Sequence, residues 1–379
     1  MWGATVETVE QALRDGDPLP GTGGFAGTLP DGRAARDALG RYPLFTEPDD
    51  PGTASLDPAA LDAPVRLPAG TVRTADGDGF EDERVWTLPD PAPYADDRRA
   101  VAELREAVEA RIEAVAGDDL AVAFSGGVDS GAVAAHLPDA PLYVAGFPDS
   151  PDVAAARETA QLCGRRDDLR VVELDHAAVR EHAAAVARAT GRTNAMDVAI
   201  AVPLVAAARG ARADGYERLA VGQGADELFG GYDKVARAPD DPRLAADTVR
   251  GATRELLAGL PEQLERDTLA LRAAGVEPVA PLLGDPVVSV ALELPERLLV
   301  SERGERKVAL RRAARALVPD RVAFRKKRAA QYGSRVAREL DRLAREAGFD
   351  RSDGDHVSQF VADIAGDVPA IREPDAASG

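Results

Sequence analysis

The stretch SGGVDS at residues 125–130 sets two glycines and two serines around one aspartate, between an apolar run, LAVAF (120–124), and an alanine-rich segment. A strand that turns sharply into a helix leaves backbone N–H groups unpaired at the turn, which suits an anionic ligand. Asp129 is the one fixed negative charge in the loop. The chemistry this suggests is a phosphate group accompanied by a metal ion. A second stretch, LAVGQGADELFGGYDK (219–234), has the same make-up: an apolar run, the glycines Gly222 and Gly224, then the carboxylates of Asp226 and Glu227. The first loop lacks both G-x-x-x-x-G-K-S/T and G-x-G-x-x-G, which disfavours a P-loop and a dinucleotide fold.

The surrounding chain predicts the elements that hold these loops. From about 118 to 221, apolar strand-like runs (LAVAF, LYVAGF, LRVVEL, RLAV) alternate with helical stretches, the last of them from about Asp197 to Arg209. That alternation implies an α/β fold, a parallel sheet covered on both faces, with ligands at the carboxyl ends of its strands. In DDRRAVAELREAVEARIEAVAG, residues Val101, Leu104, Val108, Ile112 and Val115 recur at helical spacing before Gly117, so a domain begins near residue 96. Upstream, from Asp15 to about Pro93, Gly, Pro and Asp separate short apolar pieces, which reads as a small, mainly β domain. Beyond Tyr232 the pattern is mostly helical (about 243–274, 286–295, 305–317 and 335–347), and 351–379 reads as a polar tail that frays.

Composition narrows the function. With 65 acidic against 46 basic residues the net charge is −19, which disfavours nucleic acid and anionic membranes as partners. Only Lys234, Lys307, Lys326 and Lys327 are lysine, a composition that resembles proteins of salt-loving archaea. A chain that avoids lysine uses the compact ammonium where it keeps one, because the planar fork of arginine does a different job. One cysteine, Cys163, excludes an internal disulfide, and four scattered histidines give no metal-ligand spacing. No basic region followed by an apolar one opens the chain, so a cytoplasmic protein is expected.

SGGVDS resembles the pyrophosphate loop of the ATP pyrophosphatase superfamily, and LAVGQGADELFGGYDK resembles the signature of the asparagine synthetase family. FPDSPDVAAARETAQLCG (147–164) is similar to that family's loop beside the adenine, with Phe147 at the strand end. Lys307 matches its K-x-x-L-R helix and Lys327 its R-x-K segment. Singly these pieces also fit an ordinary strand-to-helix turn, a helix N-cap on Ser150 or Asp152, and a solvated basic helix end. The resemblance runs from about 100 to 335. It implies a PP-loop ATP pyrophosphatase domain (96–350) with a helical C-terminal part, binding ATP through Ser125, Gly126, Gly127, Asp129, Ser130, Phe147, Gly222 and Gly224. It further implies Mg2+ on Asp129 and Asp226, and catalytic roles for Lys307, Lys327, Asp129 and Asp226.

The implied reaction is adenylation of a small carboxylate, aspartate being one candidate, with release of pyrophosphate and then transfer of ammonia to give an amide. Two departures qualify it. Glutamine-hydrolysing members place a catalytic cysteine directly after the initiator methionine, where this chain has Trp2. DGRAARDALGRYPLF (31–45) resembles the later part of that glutaminase domain, so residues 1–95 read as a truncated, inactive remnant, with ammonia or a separate glutaminase supplying nitrogen. Asparagine-forming members carry glutamate at Gln223, and the aspartate of their PFLD is absent here or displaced to Asp285. The alternatives are another adenylating enzyme of the superfamily, such as a β-lactam-synthetase-like cyclase or a tRNA-modifying sulfur transferase, and a non-catalytic ATP-binding subunit. A homodimer is among the expected assemblies.

Overall fold

The computed structural model describes residues 1–77, 79–238, 240–325 and 334–373. The chain opens on helix α1 (Val6–Asp15), whose cap Thr5 accepts the Thr8 N–H and whose end is turned by Gly16 in the left-handed region. Short strands follow: β1 (Ala26–Thr28), β2 (Ala34–Arg36), β3 (Phe45–Thr46), β4 (Ala54–Ser55), β5 (Val65–Arg66), β6 (Thr71–Asp76) and β7 (Gly79–Arg84). They pair into two antiparallel sheets, of order β1-β2-β6-β7 and β4-β3-β5. Trp86 packs edge-on against Phe25 with centroids 5.2 Å apart, in a small core that also buries Val9, Ala12, Leu29, Ala35 and Val72.

Helix α2 (Asp97–Glu113) then starts on the Asp96 cap and buries Ala100, Leu104, Val108 and Ile112, the stripe that its periodicity predicts. The parallel sheet is built from β8 (Leu120–Ala123), β9 (Leu142–Gly146), β10 (Leu169–Glu173), β11 (Arg218–Ala220) and β12 (Glu277–Val279), in the order β10-β9-β8-β11-β12. The intervening helices are α3 (Val128–Ala135), α4 (Pro151–Leu162), α5 (His176–Thr190), α6 (Ala195–Ala213), α7 (Ala225–Leu228), α8 (Asp233–Ala236), α9 (Val249–Ala258) and α10 (Leu260–Ala273). After β12 come α11 (Asp285–Leu292), α12 (Glu296–Leu299), α13 (Val308–Ala314) and α14 (Asp320–Ala323).

Alternate strand residues feed two separate cores. Val122, Leu142, Val144 and Ala220 join α2, α3, α11 and α13, whereas Ala121, Tyr143, Ala145 and Leu219 join α5, α6 and α10. The chain leaves β8 to lay β9 and β10 on one side and returns to lay β11 and β12 on the other. The reversal falls between β8 and β11, the switch point at which open sheets of this kind bind ligands beyond the strand tips.

Two helical expectations change. The stretch 243–274 is not one helix, because Gly259 and Pro261 break it into α9 and α10, proline being tolerated only in the first turn of the second. The stretch read as a polar tail holds helix His356–Ala365, which buries Val357, Phe360 and Val361 against the core around α5 and α6, next to helix Val336–Glu346. Among the described residues no single helix is long and apolar enough to cross a membrane.

Candidate functional site

The loop after β8 and the loop after β11 lie side by side because their strands are neighbours, in register Leu120↔Arg218 through Val122↔Ala220. Gly126 takes φ +73°, and a Cβ there would lie 2.6 Å from the Ala155 carbonyl oxygen, so only glycine lets the loop fold this tightly against α4. Thr159 of α4 donates to the Gly126 carbonyl at 2.9 Å and pins the turn. Gly127 caps α3 without any side-chain hydrogen bond, so no side chain caps the first N–H groups of the helix. The hydroxyls of Ser125 and Ser130 face each other at 3.3 Å across the loop. Gly222 backs onto it, since a Cβ there would lie 3.0 Å from Asp129 Cβ, and Gly224, at φ +81°, starts α7 under Leu283.

Asp129 and Asp226 converge on one ammonium. Lys307 Nζ donates to Asp129 Oδ1 and Oδ2 at 2.7 and 2.6 Å and pairs with Asp226 Oδ1 at 2.6 Å. The lysine side chain is 2 % exposed and the aspartates 23 % and 22 %, so the cation sits beneath and the carboxylates open toward solvent. Burial presses the Lys307 ammonium toward a lower pKa, but Asp129 and then Asp226 outweigh it and hold the group above the usual lysine range. Lys307 also takes φ 58°, ψ 40°, a left-handed conformation that costs a non-glycine residue about 1–3 kcal/mol. Gly231 closes the space behind, where a Cβ would meet Asp226 Oδ1 at 1.9 Å and Lys307 Cε at 2.3 Å.

Glu227, buried beside this cluster, accepts from the Tyr232 hydroxyl at 2.5 Å; burial raises its carboxyl pKa, the hydrogen bond opposes this, and the Asp226 charge adds to the rise. Arg306 donates to the Gly231 carbonyl at 2.9 Å. Gln223, on the other flank of the second loop, gives its amide N–H to Asp267 of α10. Arg266 donates to Asp267 Oδ1 at 2.7 Å and to Asp197 Oδ1 at 2.7 Å, and Arg192 joins Asp197 at 3.2 Å and Glu265 at 3.4 Å. Glu265 is also paired at 2.7 Å with Arg66 of β5, so an ionic ladder runs from the second loop to the N-terminal region.

The structure thus brings together Ser125, Gly126, Gly127, Asp129, Ser130, Gly222, Gly224, Asp226 and Lys307. Phe147 stands at the end of β9, one strand over, its ring 6.1 Å from that of His176. Lys327 lies outside the described residues. Asp285 has another task. It is 1 % exposed and holds Arg41 Nη1 at 2.6 Å and the Thr22 N–H at 2.6 Å, joining α11 to the N-terminal region. Trp2, where a cysteine is expected of a glutaminase, bridges to Ala26 and lies across Gly27. Sequence reasoning missed the roles of Arg266, Asp267 and Arg306, which carry no local signal; Glu227 and Tyr232 lay within the quoted motif, and their spacing of five across a turn was the available clue.

Two carboxylates gathered on one positive centre are the hard-oxygen donor set that Mg2+ accepts when it also keeps waters and substrate phosphates, so the pair fits that metal. No group of three or more His, Cys, Asp or Glu suited to a metal forms among the described residues.

A sequence model of the asparagine synthase family matches residues 100–261 and 241–363. The chain is 28 % identical over 281 residues to a Methanocaldococcus jannaschii protein provisionally named as a glutamine-hydrolysing asparagine synthetase, covering 64 % of this chain and 50 % of that protein. It is 29 % identical over 249 residues to the glutamine-hydrolysing asparagine synthetase B of Escherichia coli, covering 59 % of this chain and 43 % of that protein. It is 25 % identical over 283 residues to an asparagine synthetase domain-containing protein of Saccharomyces cerevisiae, covering 62 % and 52 %. The chain spans about half the length of the curated relatives it matches.

Proposed function

We propose, from the premise that the chain belongs to the asparagine synthase family, that it is an ATP-dependent, AMP-forming carbon–nitrogen ligase. A carboxylate is a poor acyl donor because oxide would have to leave. In this reading the substrate carboxylate attacks the α-phosphorus of ATP, pyrophosphate departs, and an amine then displaces AMP from the acyl-adenylate. The observation that carries the reading is the meeting of Asp129, Asp226 and Lys307 at the tips of two adjacent parallel strands.

The N–H groups around Gly126 and Gly127 and at the start of α3 bind the phosphates, with Ser125 and Ser130 as further donors. Asp129 and Asp226 would hold Mg2+, which when bound offsets the charge of the triphosphate. Lys307, seated below them, supplies a fixed positive charge toward the departing pyrophosphate. Lys327 is assigned to the same phosphates and Phe147 to the adenine. Aspartate is the first carboxylate to try. Nitrogen enters as ammonia, free or from a separate glutaminase, because the sole cysteine, Cys163, ends α4 with its thiol pKa pushed up by burial, the reverse of what a nucleophile needs.

The test is exchange of labelled pyrophosphate into ATP with a panel of carboxylates led by aspartate, followed by amide formation with ammonium. Carboxylate-dependent exchange that Asp129→Ala abolishes supports the assignment. Normal exchange in that variant removes Asp129 from the site, and binding of Mg-ATP without exchange for any carboxylate favours a non-catalytic ATP-binding subunit instead.

A further inference from the structure

We infer that Arg41 and Arg111 make a binding site for one small, singly charged anion, where the N-terminal region meets α2 and the turn 281–285. The site stands apart from the ligase reading above. Arg41 has a side chain only 4 % exposed. Its Nε donates to Asp37 Oδ1 at 2.9 Å and its Nη1 to Asp285 Oδ1 at 2.6 Å and the Leu283 carbonyl at 2.8 Å, but its Nη2 is buried with no partner among the described residues. Arg111, half-buried in the last turn of α2, makes no hydrogen bond and no ion pair among the described residues, and its Nε is buried. Both guanidinium groups lie against the same two stretches of backbone. A Cβ on Gly284, between the two residues that hold Arg41 Nη1, would stand 2.6 Å from Arg111 Cδ and 2.7 Å from its Nε. A Cβ on Gly23 would stand 2.0 Å from Arg111 Nη2, and one on Gly24 2.7 Å from Arg41 Nε, so glycine at these three positions admits the two arginines together.

The charges around them do not balance. Arg36, buried beside Asp37, spends its guanidinium on the carbonyls of Tyr42, Leu67 and Gly40. Arg36, Arg41 and Arg111 therefore share two carboxylates, Asp37 and Asp285, while Glu265 and Glu277 close by are taken by Arg66 and Arg272. Three cations against two anions leave an excess of one. Burial pushes the guanidinium of Arg36 and of Arg111 below the ordinary arginine range; it presses on Arg41 too, but Asp37 and Asp285 outweigh it. A desolvated donor without an acceptor destabilises a fold, and more so when charged. One monovalent anion that accepts from Arg41 Nη2 and from the Arg111 fork answers both the orphaned N–H groups and the surplus charge. A carboxylate does so through two oxygens, a halide through a single centre.

The test is the melting temperature of the parent chain and of Arg111→Met at pH 7 and fixed ionic strength, with sodium chloride or sodium formate exchanged stepwise for sodium sulfate. Anions held elsewhere, at the loop 125–130 above all, act on both proteins and cancel in the difference. In sulfate alone Arg111→Met should melt at or above the parent, because methionine leaves no unpaired cation there. Exchange for the occupant should raise the parent relative to the variant by about 3–5 °C at a hundredfold excess over the dissociation constant. Formate acting at lower concentration than chloride identifies a carboxylate and the reverse a halide, and either supports the site. Gly23→Ala, whose methyl must push the Arg111 guanidinium aside without removing its charge, should lose the same response. A parent–variant difference that neither anion changes overturns the inference, as does one that grows with sulfate instead, or a full response in Gly23→Ala.

Discussion

Replacing Lys307 by methionine keeps the length of the side chain and removes the charge that Asp129 and Asp226 share. The carboxylate oxygens each lie 2.6–2.7 Å from Nζ, so they stand at most about 5 Å apart once the ammonium is gone. At an effective dielectric of about 20, two negative charges at that distance repel by roughly 3 kcal/mol, the lower end of the usual cost of breaking a buried pair, as suits aspartates that are about a fifth exposed. For a chain of this length, about 1–2 °C of melting temperature accompanies each kcal/mol, so Lys307→Met should melt roughly 3–6 °C below the parent at pH 7 without divalent ions. If Mg2+ then binds between the carboxylates with a dissociation constant near 1 mM, 10 mM restores about 1.4 kcal/mol, or about 2 °C, to the variant and less to the parent, whose ammonium competes. The sign with pH is defined by the raised Lys307 pKa: the pair stabilises fully below the unfolded lysine value of about 10.4 and is lost as pH rises through the higher folded value, so parent and variant converge in strong alkali. Differential scanning fluorimetry over pH and Mg2+ measures all of this. A variant that melts within 1 °C of the parent at pH 7, or that gains no more from Mg2+ than the parent, refutes the electrostatic reasoning.

Gly231→Ala should abolish pyrophosphate–ATP exchange by driving a methyl group into Asp226 Oδ1 and Lys307 Cε, whereas Gly304→Ala, in open space at a positive φ, should cost only about 1 kcal/mol of stability and leave exchange intact; an active Gly231→Ala enzyme contradicts the packing described. Asp197 is held below the usual carboxylate range: burial opposes this, but Asn194 and Arg266 overcome it. Its contribution is present above the unfolded pKa of about 3.9 and is lost as pH falls through the lower folded value, so Asp197→Asn should lower urea stability at pH 7 and by progressively less as the pH is taken down below about 3.9, and a loss that does not change with pH excludes the mechanism. Arg41→Met leaves Asp37 and Asp285 buried without their cation, and a loss of about 3 kcal/mol in chemical denaturation is expected; Arg41→Met with Asp285→Asn should recover part of it.

The residues that the fold gathers into the candidate site were legible because their motifs are local. The SGGVDS turn and the GQGADELFGG turn each follow an apolar strand, and parallel strands put such turns at one edge of the sheet whatever their order. The stripe Leu104, Val108 and Ile112 likewise announced α2 by spacing alone. Asp267 and Asp285 were not legible as structural partners. Each pairs with an arginine or amide brought to it by the fold, 44 residues away for Gln223 and 244 for Arg41, and no periodicity encodes such a distance. Helix His356–Ala365 was hidden differently. Val357, Phe360, Val361 and Ile364 keep helical spacing, but the Asp- and Gly-rich stretches on both sides drew attention to the polar character of the region.

Lys307 and Asp129 are separated by 178 positions, with Asp226 between them in the chain. No contiguous fragment that stops short of α13 can assemble the charged trio, and none acquires it before the sheet has closed around its central pair of strands. Assembly of the trio is accordingly a late event during synthesis of the chain, and a probe that reads the intact trio would separate finished molecules from nascent or clipped ones.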